Sequence, residues 1–288
     1  MGNLLLPIFM KSFYAREIPF EIVCFNDEKI KPYPYLRDNT GKKNIYCVSP
    51  IHGRSFVITK KGNRHWIVEK GNGLSYTSHP FIDVSENDIY IWGALLKEYA
   101  VRDFNIGNEI RKLGIKTNIM EYVLELDCRI LDKDTYIHPC LLQYEVECPY
   151  RLSDYPFMPS YERKKMVDSW HKMCSRYSEL YLKATEVLVR NLYLLHQNNI
   201  MHNALNTQNY TWALELVDFE ASRTDNYPFS NPEYERNVLL LKNGEIMKTY
   251  EIINYIGWCL GEELDLAKIE NIFNYYGFEL EQYRIKYE

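Results

Sequence analysis

The stretch from Leu194 to Glu220 constrains this chain more than any other. An apolar helix end through Leu195 leads into a loop that begins near His202 and closes on Asn209. A short apolar hairpin follows, and then Asp218 after the apolar pair Leu216 and Val217. A hairpin this tight brings an amide oxygen and a carboxylate close together. Mg2+ is a hard cation that takes oxygen ligands in octahedral geometry, commonly one or two from protein and the rest from phosphates and water. Asn209 and Asp218 are therefore candidate ligands for Mg2+ carrying a nucleotide. Taken singly, Asn209 reads as a turn residue and Asp218 as a strand end; their joint spacing and apolar flanks favour the ligand reading.

At 288 residues the chain is long enough for one or two domains with a sizeable core. Its net charge is -5 with basic residues scattered, which excludes nonspecific nucleic-acid binding as the main role. Tyrosine is frequent at 25, a surplus that suits cores and interaction surfaces equally. Seven cysteines form no CxxC pair, so a reduced, intracellular set is expected, and with it a cytoplasmic location. His138 and Cys140 lack a second close pair to complete a tetrahedral metal set, and a structural role is expected for both. No segment reaches the length of a membrane span.

Along the chain, residues 1–43 give no clear pattern. Strands are expected at 44–49 and 54–60 around a turn at Pro50 to Gly53, and at His65 to Lys70 after a turn at Lys61 to Asn63. Residues 86–112 read as a long helix ended by Gly114, with Trp92, Leu95, Leu96, Tyr99, Ile106 and Ile110 near helical spacing. Two more strands follow near 119–126 and 140–146. After the break at Cys148 and Pro149 the pattern is helical, with one amphipathic helix over 161–197 and further helices in the last 60 residues. The order predicts an α+β, bilobal domain with a strand-rich N-lobe at 1–147, a helical C-lobe at 148–288 and a ligand cleft between them.

Within that order Lys70 ends the third strand, where its ammonium can reach nucleotide phosphates if a carboxylate of the next helix holds it. Glu98, Asp103 and Glu109 are the choices, and the pattern leaves all three open.

The sequence of His-led loop, Asn, hairpin and Asp resembles the catalytic and metal-binding loops of protein kinases. The Asp that such loops carry two residues after the first His is replaced by Ala204. His202 is expected to fix the loop backbone, as that His does in kinases. A narrower resemblance rests on Lys70-Gly71-Asn72-Gly73, on Val101-Arg102-Asp103-Phe104 leading to Leu113-Gly114-Ile115-Lys116-Thr117, and on Asn206-Thr207-Gln208-Asn209. These resemble, in order and spacing over about residues 66–220, the selenoprotein O (YdiU-type) family of kinase-like enzymes, which transfer AMP from ATP to protein hydroxyls.

The resemblance implies a protein-kinase-like fold using ATP and Mg2+ and a protein or peptide acceptor. Lys70 would contact the phosphates, Asp103 would take the helix-carboxylate place, and Asn209 and Asp218 would hold the metal. Arg151 matches the second of two phosphate-binding arginines, the first falling on Tyr144, and Gly53 alone represents the glycine-rich loop. Gln208 stands where the family has its proposed base. The expected activity is AMP transfer, with phosphoryl transfer to a protein, peptide or small molecule, or a nucleotide-binding pseudokinase acting through a partner, as alternatives.

Overall fold

In the computed structural model the described residues are 11–27, 31–38, 40–47, 55–62, 65–72, 94–132, 135–173 and 179–280. Among the described residues ten strands come first or flank one helix: β1 (Lys11–Glu17), β2 (Phe20–Phe25), β3 (Tyr35–Arg37), β4 (Lys43–Cys47), β5 (Ser55–Lys61), β6 (His65–Lys70), helix α1 (Lys97–Lys112), β7 (Ile119–Leu126), β8 (Ile130–Asp132), β9 (Thr135–Ile137) and β10 (Cys140–Val146). A 3-10 turn at Leu152–Phe157 leads into α2 (Ser160–Met173), α3 (Leu180–Gln197), α4 (Pro232–Arg236), α5 (Val238–Leu260) and α6 (Leu266–Tyr275). The chain is thus a mixed helix and strand protein built on an antiparallel sheet.

Eight strands form that sheet in the order β2-β7-β10-β6-β5-β4-β1-β3. Only Ile18 and Pro19 separate β1 from β2, yet the two strands lie six places apart in it. A flat sheet would put them about 29 Å apart at ~4.8 Å per strand, whereas three chain steps span at most about 11 Å. The sheet therefore curls until its ends approach. Ile18 packs with Tyr122, Leu124, Leu126 and Leu141 of β7 and β10, while Tyr33 N and Arg37 N donate at 2.9 Å to Gln143 Oε1 and Asn72 Oδ1. Residues 11–27 and 31–37, which carry no readable periodicity, are what closes the curl.

The other sheet face shares one apolar core with the helices, including Val68, Leu142 and Tyr144 from strands, Phe104 and Ile110 from α1, and Leu188, Ile252 and Phe273 from α3, α5 and α6. Burying each large side chain of that kind contributes about 1.5–3 kcal/mol. Helix α1 presents Ala100, Phe104, Gly107 and Ile110 to this core at helical spacing. Gly114 follows its end with φ +78°, a conformation open to glycine at little cost.

Strands β6, β7 and β10 lie where strands are expected from the sequence. Two expectations are corrected. Helix α1 begins at Lys97 because Leu95 is extended, its carbonyl accepting from Cys140 N at 2.8 Å in an isolated bridge. The helix expected over 161–197 is two helices, α2 and α3. The Pro50 to Gly53 turn, Gly73, Trp92 and the rest of 86–93, and Cys174 lie outside the described residues.

Candidate functional site

Four segments of the chain meet at Lys70. The lysine ends β6, and its register partner on β10, Leu142, belongs to the core, which turns the side chain toward the helices. Gly71 lets the chain leave the strand there, with φ +96°. A Cβ at that position would lie 2.4 Å from the Cys140 carbonyl oxygen and 2.7 Å from Leu95 Cβ. No other residue fits so closely against that backbone.

Lys70 is 3% exposed. Its Nζ donates to Asp103 Oδ2 at 2.6 Å and to Asp218 Oδ1, and it lies 3.2 Å from Glu220 Oε2. Asp103 is therefore the helix carboxylate, while Glu98 is exposed and Glu109 half-buried. Its second oxygen accepts from Phe219 N at 3.0 Å. One buried side chain of α1 thus fixes both the lysine and the backbone beside Asp218. Burial pushes the Asp103 carboxyl above the usual range, and the Lys70 ammonium opposes that shift. Asp103, Asp218 and Glu220 each bring an oxygen within 4.8 Å of the others.

The hairpin that carries Asp218 forms as the sequence predicts. Val217 N donates to Asn209 O at 3.0 Å and Thr211 N to Glu215 O at 2.9 Å. Asp218 itself has φ +71°, a region that costs a non-glycine residue energy and recurs at ligand sites. Asn209 Nδ2 donates to Ala204 O at 2.8 Å, which orients the amide so that Oδ1 is its ligand-capable atom. His202, fully buried, bonds Val217 O through Nε2 at 3.0 Å and packs its ring 5.5 Å from that of Phe219. Burial holds its pKa below the ordinary imidazole value, so the ring is neutral and Nε2 carries the proton. It fixes the loop backbone, as expected.

No protein-family model matches the sequence, and no curated protein matches it. Among solved structures the chain is similar to a Toxoplasma gondii specific rhoptry antigen kinase domain, at 12% identity and a TM-score of 0.39, over 85% of this chain and 83% of that one. Likeness that slight assigns no activity.

The remaining sequence candidates lie as follows. Arg151 is half-buried at the start of the 3-10 turn and donates from Nη1 to Gln208 O at 3.0 Å, which places its guanidinium against the loop. Gln208 is half-buried, its N–H bound to Asn206 Oδ1 at 2.7 Å. Tyr144 is a core residue at 3% exposure. Gly53 lies outside the described residues. His138 bonds the Leu126 carbonyl and Cys140 is buried in the core, both structural positions. Two residues of the site carried no role in the sequence reading. Glu220 joins the carboxylates, and its spacing two residues past Asp218 was the available signal. Arg102, beside Asp103 in the quoted motif, donates to Ser222 O. Among the described residues no helix is long and apolar enough to cross a membrane.

Proposed function

We propose that the Lys70 cleft binds Mg-ATP and that this chain is a transferase of the kinase-like superfamily, with residues 1–147 as its N-lobe and 148–288 as its C-lobe, moving AMP to a protein hydroxyl. The observation that carries the reading is the convergence of Lys70 from a strand, Asp103 from the following helix, and Asp218 with Asn209 from one hairpin. Hard oxygen donors beside a buried ammonium suit a cation bridged to phosphates. Asn209 and Asp218 would hold Mg2+, which when bound draws negative charge from the phosphate oxygens.

The chain's own residues then divide the work. Lys70, kept on Asp103, turns its remaining N–H groups from Asp218 and Glu220 to phosphate oxygens. Arg151, beside the Gln208 carbonyl, supplies a second cation for the outer phosphates. In AMP transfer the acceptor oxygen bonds to the α-phosphorus as the α–β bridging bond breaks, pyrophosphate leaves, and the acceptor proton passes to a base. Gln208 can orient the hydroxyl through Oε1 but does not take its proton. Solvent must accept it, and losing a positioned base lowers rates by ~10²–10⁴.

A second reading, a nucleotide-binding pseudokinase acting through a partner, is favoured by one observation. The loop from His202 to Asn209 holds Ala204 and Gln208 and no carboxylate. ATP labelled at the α or the γ phosphate, incubated with the protein and a lysate, separates the readings. AMP transfer predicts slow α-label incorporation that Gln208→Asp accelerates. Incorporation of γ label alone supports a phosphotransferase. If neither label moves and Gln208→Asp is silent while Mg-ATP still binds, the pseudokinase reading replaces catalysis.

A further inference from the structure

We propose that Arg102 is a positioning residue which, together with its neighbour Asp103, clamps both ends of the segment Asp218 to Tyr227 onto helix α1, so that the Lys70–Asp103 pair stands without any modification of that segment. The geometry of the clamp is independent of the ligand; its effect on nucleotide affinity rests on the Mg-ATP reading above.

Successive helical residues point about 100° apart, so Arg102 and Asp103 address different parts of one neighbour. Asp103 takes the near end through Phe219 N at 3.0 Å. Arg102 takes the far end: Nε and Nη2 donate to Ser222 O at 3.1 and 2.5 Å, and Nη2 also to Tyr227 O at 3.2 Å. Its guanidinium carbon lies 5.8 Å from the centre of the Tyr227 ring. Three residues on, Asn105 Nδ2 donates to the Tyr227 hydroxyl at 2.6 Å. A guanidinium is a rigid fork of donors, suited to two diverging carbonyls in a way that a lysine ammonium is not.

The opposite side of the segment is tied to the His202 loop. Ser222 Oγ donates to His202 O at 3.1 Å, and Arg223 and Met201 exchange backbone bonds at 2.8 and 2.9 Å. Arg223 in turn pairs with Glu235 of α4 through Nη2 at 2.6 Å and donates to Asn199 O at 2.8 Å. The segment therefore hangs between α1 and the loop, and beyond Phe219 Arg102 ties its main chain to α1 while Asn105 holds the Tyr227 hydroxyl. Segments ordered by phosphorylation are held through new arginine–phosphate pairs. Here the arginine's partners are main-chain carbonyls, present in the unmodified chain.

Amide hydrogen exchange on the unmodified full chain, its mass checked, tests this without nucleotide. In Arg102→Ala the amides of Phe219, Ser222 and Tyr227 should exchange faster by roughly tenfold or more, with α3 and α5 unaffected. Arg102→Lys, which keeps one donor to Ser222 O, should restore protection in part. Tyr227→Phe, which loses only the Asn105 bond, should change little. Arg111→Ala on the same helix controls for a general loosening of α1. Mg-ATP affinity should fall in Arg102→Ala with protection. Unchanged exchange at Phe219, or the same acceleration in Arg111→Ala as in Arg102→Ala, would overturn the clamp. If protection falls as expected while the wild-type chain binds no Mg-ATP, the clamp stands and the nucleotide reading fails.

Discussion

His202 holds the loop to the hairpin through one proton, and that proton makes the site sensitive to acid. In the folded chain burial keeps its pKa below the ordinary value, whereas in the unfolded chain it titrates near 6.5. Above pH ~6.5 both states are neutral and the group contributes no pH dependence. As the pH falls below that value the unfolded chain takes up a proton that the folded chain refuses, so stability drops, by at most about 1.4 kcal/mol per pH unit, until the depressed folded pKa is reached. Chemical denaturation of wild type and His202→Gln at a series of pH values reads this out. The wild type should lose stability on acidification more steeply than the variant, whose amide can still donate to Val217 O but does not titrate. Parallel curves would mean that His202 takes up its proton as readily in the fold as in the unfolded chain. The ordered pattern singled out Lys70, Asn209 and Asp218 as candidates, whereas it left Asp103 open beside Glu98 and Glu109, and only the family resemblance favoured it. Glu220 and Arg102 were not singled out, because their roles depend on where the chain turns after Phe219, and the left-handed φ of Asp218 is invisible in residue type.

Strand β6 shows how an element delivers a residue. Its run between turn signals was readable, and at its last residue Gly71 bends the chain against the Cys140 carbonyl. Gly71→Ala meets both a close contact and φ +96°, each unfavourable for a side chain. The variant should be destabilised by ~1–3 kcal/mol, seen as a lower urea midpoint with an unchanged slope, and should shift Lys70 away from Asp103. An unaltered midpoint would show that the backbone relaxes at no cost. Apolar, buried strands were found from sequence, as β7 and β10 attest. β2 was not, since its residues face solvent on both sides at several positions and its partner, β7, lies about a hundred residues away. The helical period running from α2 into α3 likewise hides the break between them, which no proline or glycine marks.

At the scale of the molecule, a curled antiparallel sheet and a set of helices share one core, and the Lys70 cluster sits where strand, helix and hairpin join. Buried charge of this kind is costly unless paired. Removing Lys70 would strand the Asp103 carboxylate and cost about 3–5 kcal/mol, so Lys70 variants confound binding with folding. Asp218 is the better probe. Its side chain is 27% exposed, Lys70 keeps Asp103 and Glu220 when Asp218 is neutralised, and asparagine tolerates the left-handed backbone. The decisive measurement is the thermal midpoint of wild type and Asp218→Asn with and without Mg-ATP. A ligand that binds only the folded state stabilises it by about 2.7 kcal/mol at a hundredfold excess over its dissociation constant. Binding at the Lys70 cleft predicts a rise of several degrees in the wild type, dependent on Mg2+ and lost in Asp218→Asn, whose midpoint without ligand stays close to that of the wild type. A wild-type midpoint indifferent to Mg-ATP, or an equal rise in the variant, would contradict it.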